Sequence, residues 1–134
     1  MAGRTNTKPA QTPDTATERK IIASGARYIA GVDEAGRGCW AGPVYAAAVM
    51  LGSGAFSSPS PLEGVRDSKL LSRPSRERLF AKIDRNASAV SVARIEARIV
   101  DRVGIVEATR EAMLQALDGL PMRPDFVLSI PCRC

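Results

Sequence analysis

Histidine is absent from the whole chain. That absence excludes imidazole general bases, Ser-His triads and histidine-ligated metals from anything the chain itself encodes. Cysteine is scarce: Cys39, Cys132 and Cys134 are the full set. An odd count with two residues crowded at one end does not read as a disulfide framework, so a reducing compartment is expected. Cys132-x-Cys134 has neither a second cysteine pair nor a histidine to complete a zinc site, and Cys39 reads as a packed loop thiol with no base partner. Aromatic residues make up only 4% of the chain, so any core must be largely aliphatic. No run of about 18 apolar residues occurs, which predicts no membrane span. The N-terminus has no apolar stretch of signal-peptide type, and the expected location is cytoplasmic.

What is present fits one domain. The chain has 134 residues, 45% of them hydrophobic, and a net charge of +5 that leans toward an anionic partner. Residues 1–25 are rich in Thr, Ala, Lys, Arg and Pro without a sustained period, and are expected to be a disordered N-terminal extension. A strand is expected over Tyr28 to Asp33 and a second over Val44 to Leu51, paired antiparallel through a Gly-rich loop. Gly52 to Gly64 reads as loop. Ser72 as N-cap and Pro74 in the first turn predict a helix over about Arg73 to Arg85, with Leu79, Phe80 and Ile83 as its apolar stripe. Alternation predicts a third strand over Ala89 to Ile95. A short helix over Glu96 to Arg102 ends at Gly104. A longer one over Ile105 to Leu117 offers Ile105, Ala108, Ala112, Leu114 and Leu117 for burial. A fourth strand begins at Phe126. The order of elements is mixed α/β.

The chemistry concentrates between Tyr28 and Val44. An apolar strand ends in adjacent carboxylates, Asp33 and Glu34, followed by Ala35-Gly36-Arg37-Gly38. Carboxylate oxygens suit hard divalent cations, while glycines and a guanidinium suit a phosphate. Neighbours on a strand point to opposite faces, so the two acids can share one site only if the strand ends or twists between them. Gly36 to Ala41 also matches the loose dinucleotide pattern GxGxx(G/A), but that pattern should open a helix and here a strand follows. Lys69 in Asp67-Ser68-Lys69 reads either as a solvated lysine at a helix entrance or as a phosphate contact.

Gly31-Val32-Asp33-Glu34-Ala35-Gly36-Arg37-Gly38-Cys39-Trp40-Ala41-Gly42-Pro43-Val44 resembles the signature of ribonuclease HII, the type 2 ribonuclease H. Asp67-Ser68-Lys69-Leu70-Leu71-Ser72 is similar to the family's DSKxLS segment. Ile105 to Met113 resembles its following helix, and Pro124 to Leu128 its next strand. The resemblance implies a ribonuclease H-like fold over residues 26–128, incomplete at the C-terminus, with an atypical tail over 129–134. It implies a metal-dependent endoribonuclease that hydrolyses the phosphodiester 5′ of a ribonucleotide, in RNA–DNA hybrids or in duplex DNA with embedded ribonucleotides. Asp33 and Glu34 would be catalytic and bind Mn²⁺ or Mg²⁺. Gly36, Arg37 and Gly38 would lie against the ribose 2′-OH, and Lys69 would approach the nucleic-acid backbone. A monomer is expected.

Ser129 to Cys134 departs from that pattern. The family's third carboxylate stands in a VLxDG-like stretch, where this chain has Ile130-Pro131, and the fourth would lie beyond Cys134. A frameshift or early stop is the expected origin of the tail. The alternative reading is a non-catalytic truncated remnant that at most binds nucleic acid weakly.

Overall fold

The computed structural model describes residues 13–38 and 41–129. Four strands, β1 (Tyr28–Ala35), β2 (Val44–Gly52), β3 (Ala89–Ile95) and β4 (Phe126–Ser129), form one mixed sheet in the order β3-β2-β1-β4. β1 pairs antiparallel with β2 as a hairpin, and β2 antiparallel with β3 across a long connection that carries a helix over Arg73–Asn86. β4 returns parallel to β1, which requires a crossover. That crossover carries α3 (Ala97–Val103) and α4 (Ile105–Asp118), separated by Gly104 at φ +88°. A positive φ of this size favours glycine, and here it lets the chain turn from one helix into the next.

α4 lies across β2, β3 and β1. Ala108, Ala112 and Ala116 recur every four residues along it and are fully buried, so the backbone of the helix can come close to the sheet. They meet Ala30, Val32, Val44, Ala46, Ala48, Met50 and Ile95, a core of small and aliphatic side chains in keeping with the scarcity of aromatics. Thr109, also buried, donates its hydroxyl to Ile105 O at 2.7 Å and so leaves no unpaired polar group inside. Thr109 and Ala116 therefore take core positions that were not expected, while Leu114, expected inside, is 48% exposed.

The second face of the sheet is thinly covered. α2 (Arg73–Asn86) begins as anticipated, with the Ser72 hydroxyl accepting from Ser75 N and Pro in the first turn. Its stripe is narrower than expected: Leu79 and Ile83 are half-buried, but Phe80 is 65% exposed. Phe80 lies about 100° around the helix from Leu79, beyond the strip that faces protein. Ile83, Leu62 and Val65 roof an open apolar hollow of about 520 Å³ over Gly31, Ala47, Val49 and Leu128.

The N-terminal expectation needs correction. Residues 1–12 lie outside the described residues, but Ala16–Ala23 form a helix, α1, rather than a disordered arm. The Asp14 carboxylate accepts from Ala16 N at 2.9 Å, and the helix packs against the short 3₁₀ turn Ser53–Phe56, with Ile21 and Ile22 half-buried. Composition described the segment as polar; its helix is accompanied by the Asp14 bond to Ala16 N and two half-buried isoleucines, with no side-chain bond from Thr15 at its N-cap.

One carboxylate fastens the parallel pair. Asp125 Oδ2 accepts from Arg27 N at 2.8 Å and from Tyr28 N at 2.9 Å, while Asp125 N donates to Tyr28 O at 2.9 Å. The backbone N–H groups of Tyr28 and Arg27 hold the Asp125 carboxyl below its ordinary value of 3.8. A depressed folded-state value contributes stability that is fully present above 3.8 and is lost as the pH falls through the lower folded-state value. Asp125→Ala is thus expected to lower the unfolding midpoint near neutral pH, with the gap to the wild type closing in acid. A gap that stays constant into strong acid would contradict the clasp.

Candidate functional site

The site is built at the far end of β1, where the strand meets its hairpin loop. β1 runs two residues further than expected, with Asp33 opposite Ala47, Glu34 opposite Ala46 and Ala35 opposite Tyr45. By alternation, Asp33 belongs to the open face with Gly31 and Ala35, and Glu34 to the α4 face with Val32. The two carboxylates nonetheless meet. Asp33 Oδ1 turns back to accept from Glu34 N at 2.9 Å, and the two side chains come within hydrogen-bonding reach of each other. A bend of the side chain, rather than an end to the strand, brings them together.

Their electrostatics differ. Partial burial, with the neighbouring Glu34 carboxylate, pushes the Asp33 carboxyl up; the Glu34 N–H and the Lys69 ammonium pull against that rise without cancelling it. For Glu34, burial also acts upward. It is outweighed by hydrogen bonding with the Asp33 side chain and its own N–H and by the Arg37 guanidinium, so Glu34 stays below the usual value. Such a pair loses its protons in joint steps. Among groups that crowd negative charge, this is the arrangement a cation would relieve.

Two cations stand near it. Arg37 Nη1 lies 3.7 Å from Glu34 Oε1, both side chains keeping about a quarter of their exposure (26% and 22%). Lys69 is carried on a 3₁₀ turn, Ser68–Leu70, that the Asp67 carboxylate organises by accepting from Lys69 N at 2.9 Å. Its positive charge acts to lower the Asp33 carboxyl, which links Lys69 electrostatically to the acidic pair. Gly36 and Gly38 flank Arg37 in the loop. Gly36 has φ +95° and lies so close to Pro43 that a Cβ there would sit 2.8 Å from the Pro43 carbonyl oxygen. The six residues singled out from the sequence, Asp33, Glu34, Gly36, Arg37, Gly38 and Lys69, therefore gather in one region. Cys39, Trp40 and Ile130 to Cys134 lie outside the described residues.

Among the described residues, no three acidic, cysteine or histidine side chains converge on one point. Asp125 stands at the opposite end of β1 as the clasp on Tyr28. Asp33 is five residue steps from Tyr28, about 17 Å of strand. Sequence reasoning missed one neighbour of the site. Tyr45 sits in the apolar run of β2, yet it is 41% exposed with the Arg94 guanidinium 5.8 Å from its ring centre. The sequence carried no signal for it, because Ala47 and Val49 on its own face are as apolar as Val44, Ala46, Ala48 and Met50 on the buried one.

A family model for ribonuclease HII matches residues 30–133. The chain belongs to the ribonuclease HII family. Among curated relatives, ribonuclease HII of Chloroflexus aggregans is 47% identical over 116 residues, and that of Syntrophus aciditrophicus 50% identical over 111. These alignments cover 87% and 83% of this chain but 55% and 50% of the relatives, so the chain spans about half the length of the ribonuclease HII proteins it matches. The ribonuclease H2 of Pyrococcus horikoshii has a TM-score of 0.63 at 28% identity, over 76% of this chain and 49% of that one. Bst-RNase HIII, in a structure with Mn²⁺, has the same TM-score of 0.63 at 20% identity, over 96% of this chain and 44% of that one, a likeness of fold. The mixed sheet is thus of the ribonuclease H type, as the resemblance implied.

Proposed function

We propose that this chain carries the β1 part of a ribonuclease H site: a metal-dependent endonuclease centre directed at RNA–DNA hybrids or at duplex DNA with embedded ribonucleotides. The observation that carries the reading is the adjacent acidic pair at the end of β1, with Asp33 Oδ1 accepting from Glu34 N at 2.9 Å and Arg37 Nη1 3.7 Å from Glu34 Oε1. Two charged oxygen donors in contact suit Mn²⁺ or Mg²⁺, though they supply only part of the roughly six oxygens such an ion takes. Bound there, a divalent ion would supply Lewis acidity and an activated water. Asp33 and Glu34 hold and orient that charge. Arg37 offers a fork of N–H donors to a phosphate or a ribose hydroxyl, and Gly36 and Gly38 keep side chains out of the way of an approaching strand. Lys69 adds a point charge toward the backbone. The reading takes the chain as a cytoplasmic monomer.

A second reading is favoured by the absence of a third converging acid among the described residues: a non-catalytic module that binds nucleic acid weakly. Both readings share the interface, which is tested first. Arg37→Ala is expected to reduce any preference for a ribonucleotide-bearing duplex over an all-DNA one. Lys69→Ala is expected to weaken both alike and to lower the salt slope by about one. Equal loss for the two duplexes on Arg37→Ala removes the 2′-OH role. No loss from either substitution removes the interface.

A further inference from the structure

The open face of the sheet carries one feature that its core does not explain. Tyr45 and Arg94 are direct cross-strand partners on β2 and β3, and Tyr45 is in turn opposite Ala35 on β1. The Arg94 guanidinium stands 5.8 Å from the centre of the Tyr45 ring and pairs with Glu96 at 3.3 Å. Both members are solvent-accessible, Tyr45 at 41% and the Arg94 side chain at 50%. Asp33 is opposite Ala47, two residues along β2 from Tyr45, on the same face. Diagonal neighbours of this kind lie about 7–8 Å apart. The pair therefore stands beside the acidic end of β1, at the end of the sheet from which the Gly36–Gly38 loop leaves.

We propose that Tyr45 and Arg94 extend the nucleic-acid surface of this site, with Arg94 on a backbone phosphate and the Tyr45 ring against the sugar or base next to it. This rests on the proposed nuclease reading and names further residues for the same duplex. An accessible aromatic ring with a guanidinium over it is how proteins grip nucleic-acid strands without reading sequence, since every nucleotide offers a flat face and a phosphate. The charge is complementary: Arg37, Lys69 and Arg94 bracket the region, and the chain as a whole is +5. The competing explanation is that a charge on β3, an edge strand, only blocks pairing with other sheets. That accounts for Arg94, but not for an exposed tyrosine on the inner strand β2 amid alanine and valine.

The test is fluorescence anisotropy of a labelled duplex containing one ribonucleotide, titrated with the full chain over a range of salt. Arg94→Ala is expected to weaken binding about three- to tenfold and to lower the salt slope by about one. Tyr45→Ala is expected to weaken it about fivefold or more, with Tyr45→Phe close to the wild type. Glu96→Gln separates the two explanations: it removes the pairing with Arg94 but not a phosphate contact, so binding should hold or tighten. The same loss from Glu96→Gln as from Arg94→Ala would overturn the proposal in favour of edge protection. Wild-type affinity in both Arg94→Ala and Tyr45→Ala, with losses in Arg37→Ala and Lys69→Ala, would overturn it while leaving the nuclease site intact. No duplex binding by the wild type would remove the nuclease reading, and the proposal with it. Phenylglyoxal labelling of the unmutated chain needs no folded variant: the duplex should protect Arg94, and unchanged labelling counts against the contact.

Discussion

Incubated with Mn²⁺ and a duplex carrying one embedded ribonucleotide, the chain is expected to cut several orders of magnitude more slowly than the Chloroflexus aggregans relative. The reason is charge and position. A pair of divalent ions would bring four positive charges to the site, of which Asp33 and Glu34 would offset two. The other acids near the sheet cannot substitute. Asp125 is committed to the backbone at the opposite end of β1, and Asp118 ends α4. β4 pairs Ser129 with Val32, one residue short of Asp33, and the sequence then continues with Ile130 instead of the acid that the family pattern carries. With Ile130 where the family pattern carries an acid, the reacting groups would be placed less well, and misplacement costs rate steeply. Ile130→Asp is expected to tighten Mn²⁺ binding, since it adds a carboxylate next in sequence to that pairing. Cleavage by the unaltered chain at a rate near the relative's, and abolished by Asp33→Asn, would overturn this account.

The second large effect is expected from Gly36→Ala. At φ +95° an L side chain is strained, by about 1–3 kcal/mol, whatever the space around it. Here the space is also taken, because the new Cβ would meet the Pro43 carbonyl oxygen at 2.8 Å, and that oxygen belongs to backbone that cannot rotate away. The hairpin must open, carrying Arg37 away from Glu34. A lower denaturant midpoint and weaker duplex binding are expected together. Gly38→Ala is the informative contrast, since among the described residues no atom beyond its chain neighbours lies within 4 Å of its Cβ position, and stability should be nearly unchanged. A loss of duplex affinity there without a loss of stability would show that the glycine makes room for the ligand rather than for the fold. Equal stability of Gly36→Ala and the wild type would contradict the hairpin geometry.

What the sequence made legible was local. The Ser72 cap and the proline behind it placed α2, alternation placed β3 residue for residue, and the run from Val44 placed β2, because each signal is written within a few residues. The acidic pair was legible for the same reason: an apolar strand ends in charge beside glycine. What failed was tertiary. Phe80 and Leu114 have the right type for a core, but their exposure depends on which helix faces meet protein. Thr109 was passed over because only its bond to Ile105 O makes burial affordable. The way Asp33 bends back to Glu34 could not be read from period 2, which sends the two apart. Tyr45 was hidden by the apolarity of its neighbours.

The central claim is that Asp33 and Glu34 together form the divalent-ion end of this site. Mn²⁺ titrated into the folded chain, with the free ion followed by electron paramagnetic resonance, tests it without requiring turnover. The expected result is weak binding that Asp33→Asn and Glu34→Gln each abolish and Asp125→Asn leaves unchanged. Mn²⁺ binding of undiminished strength in Asp33→Asn would contradict it.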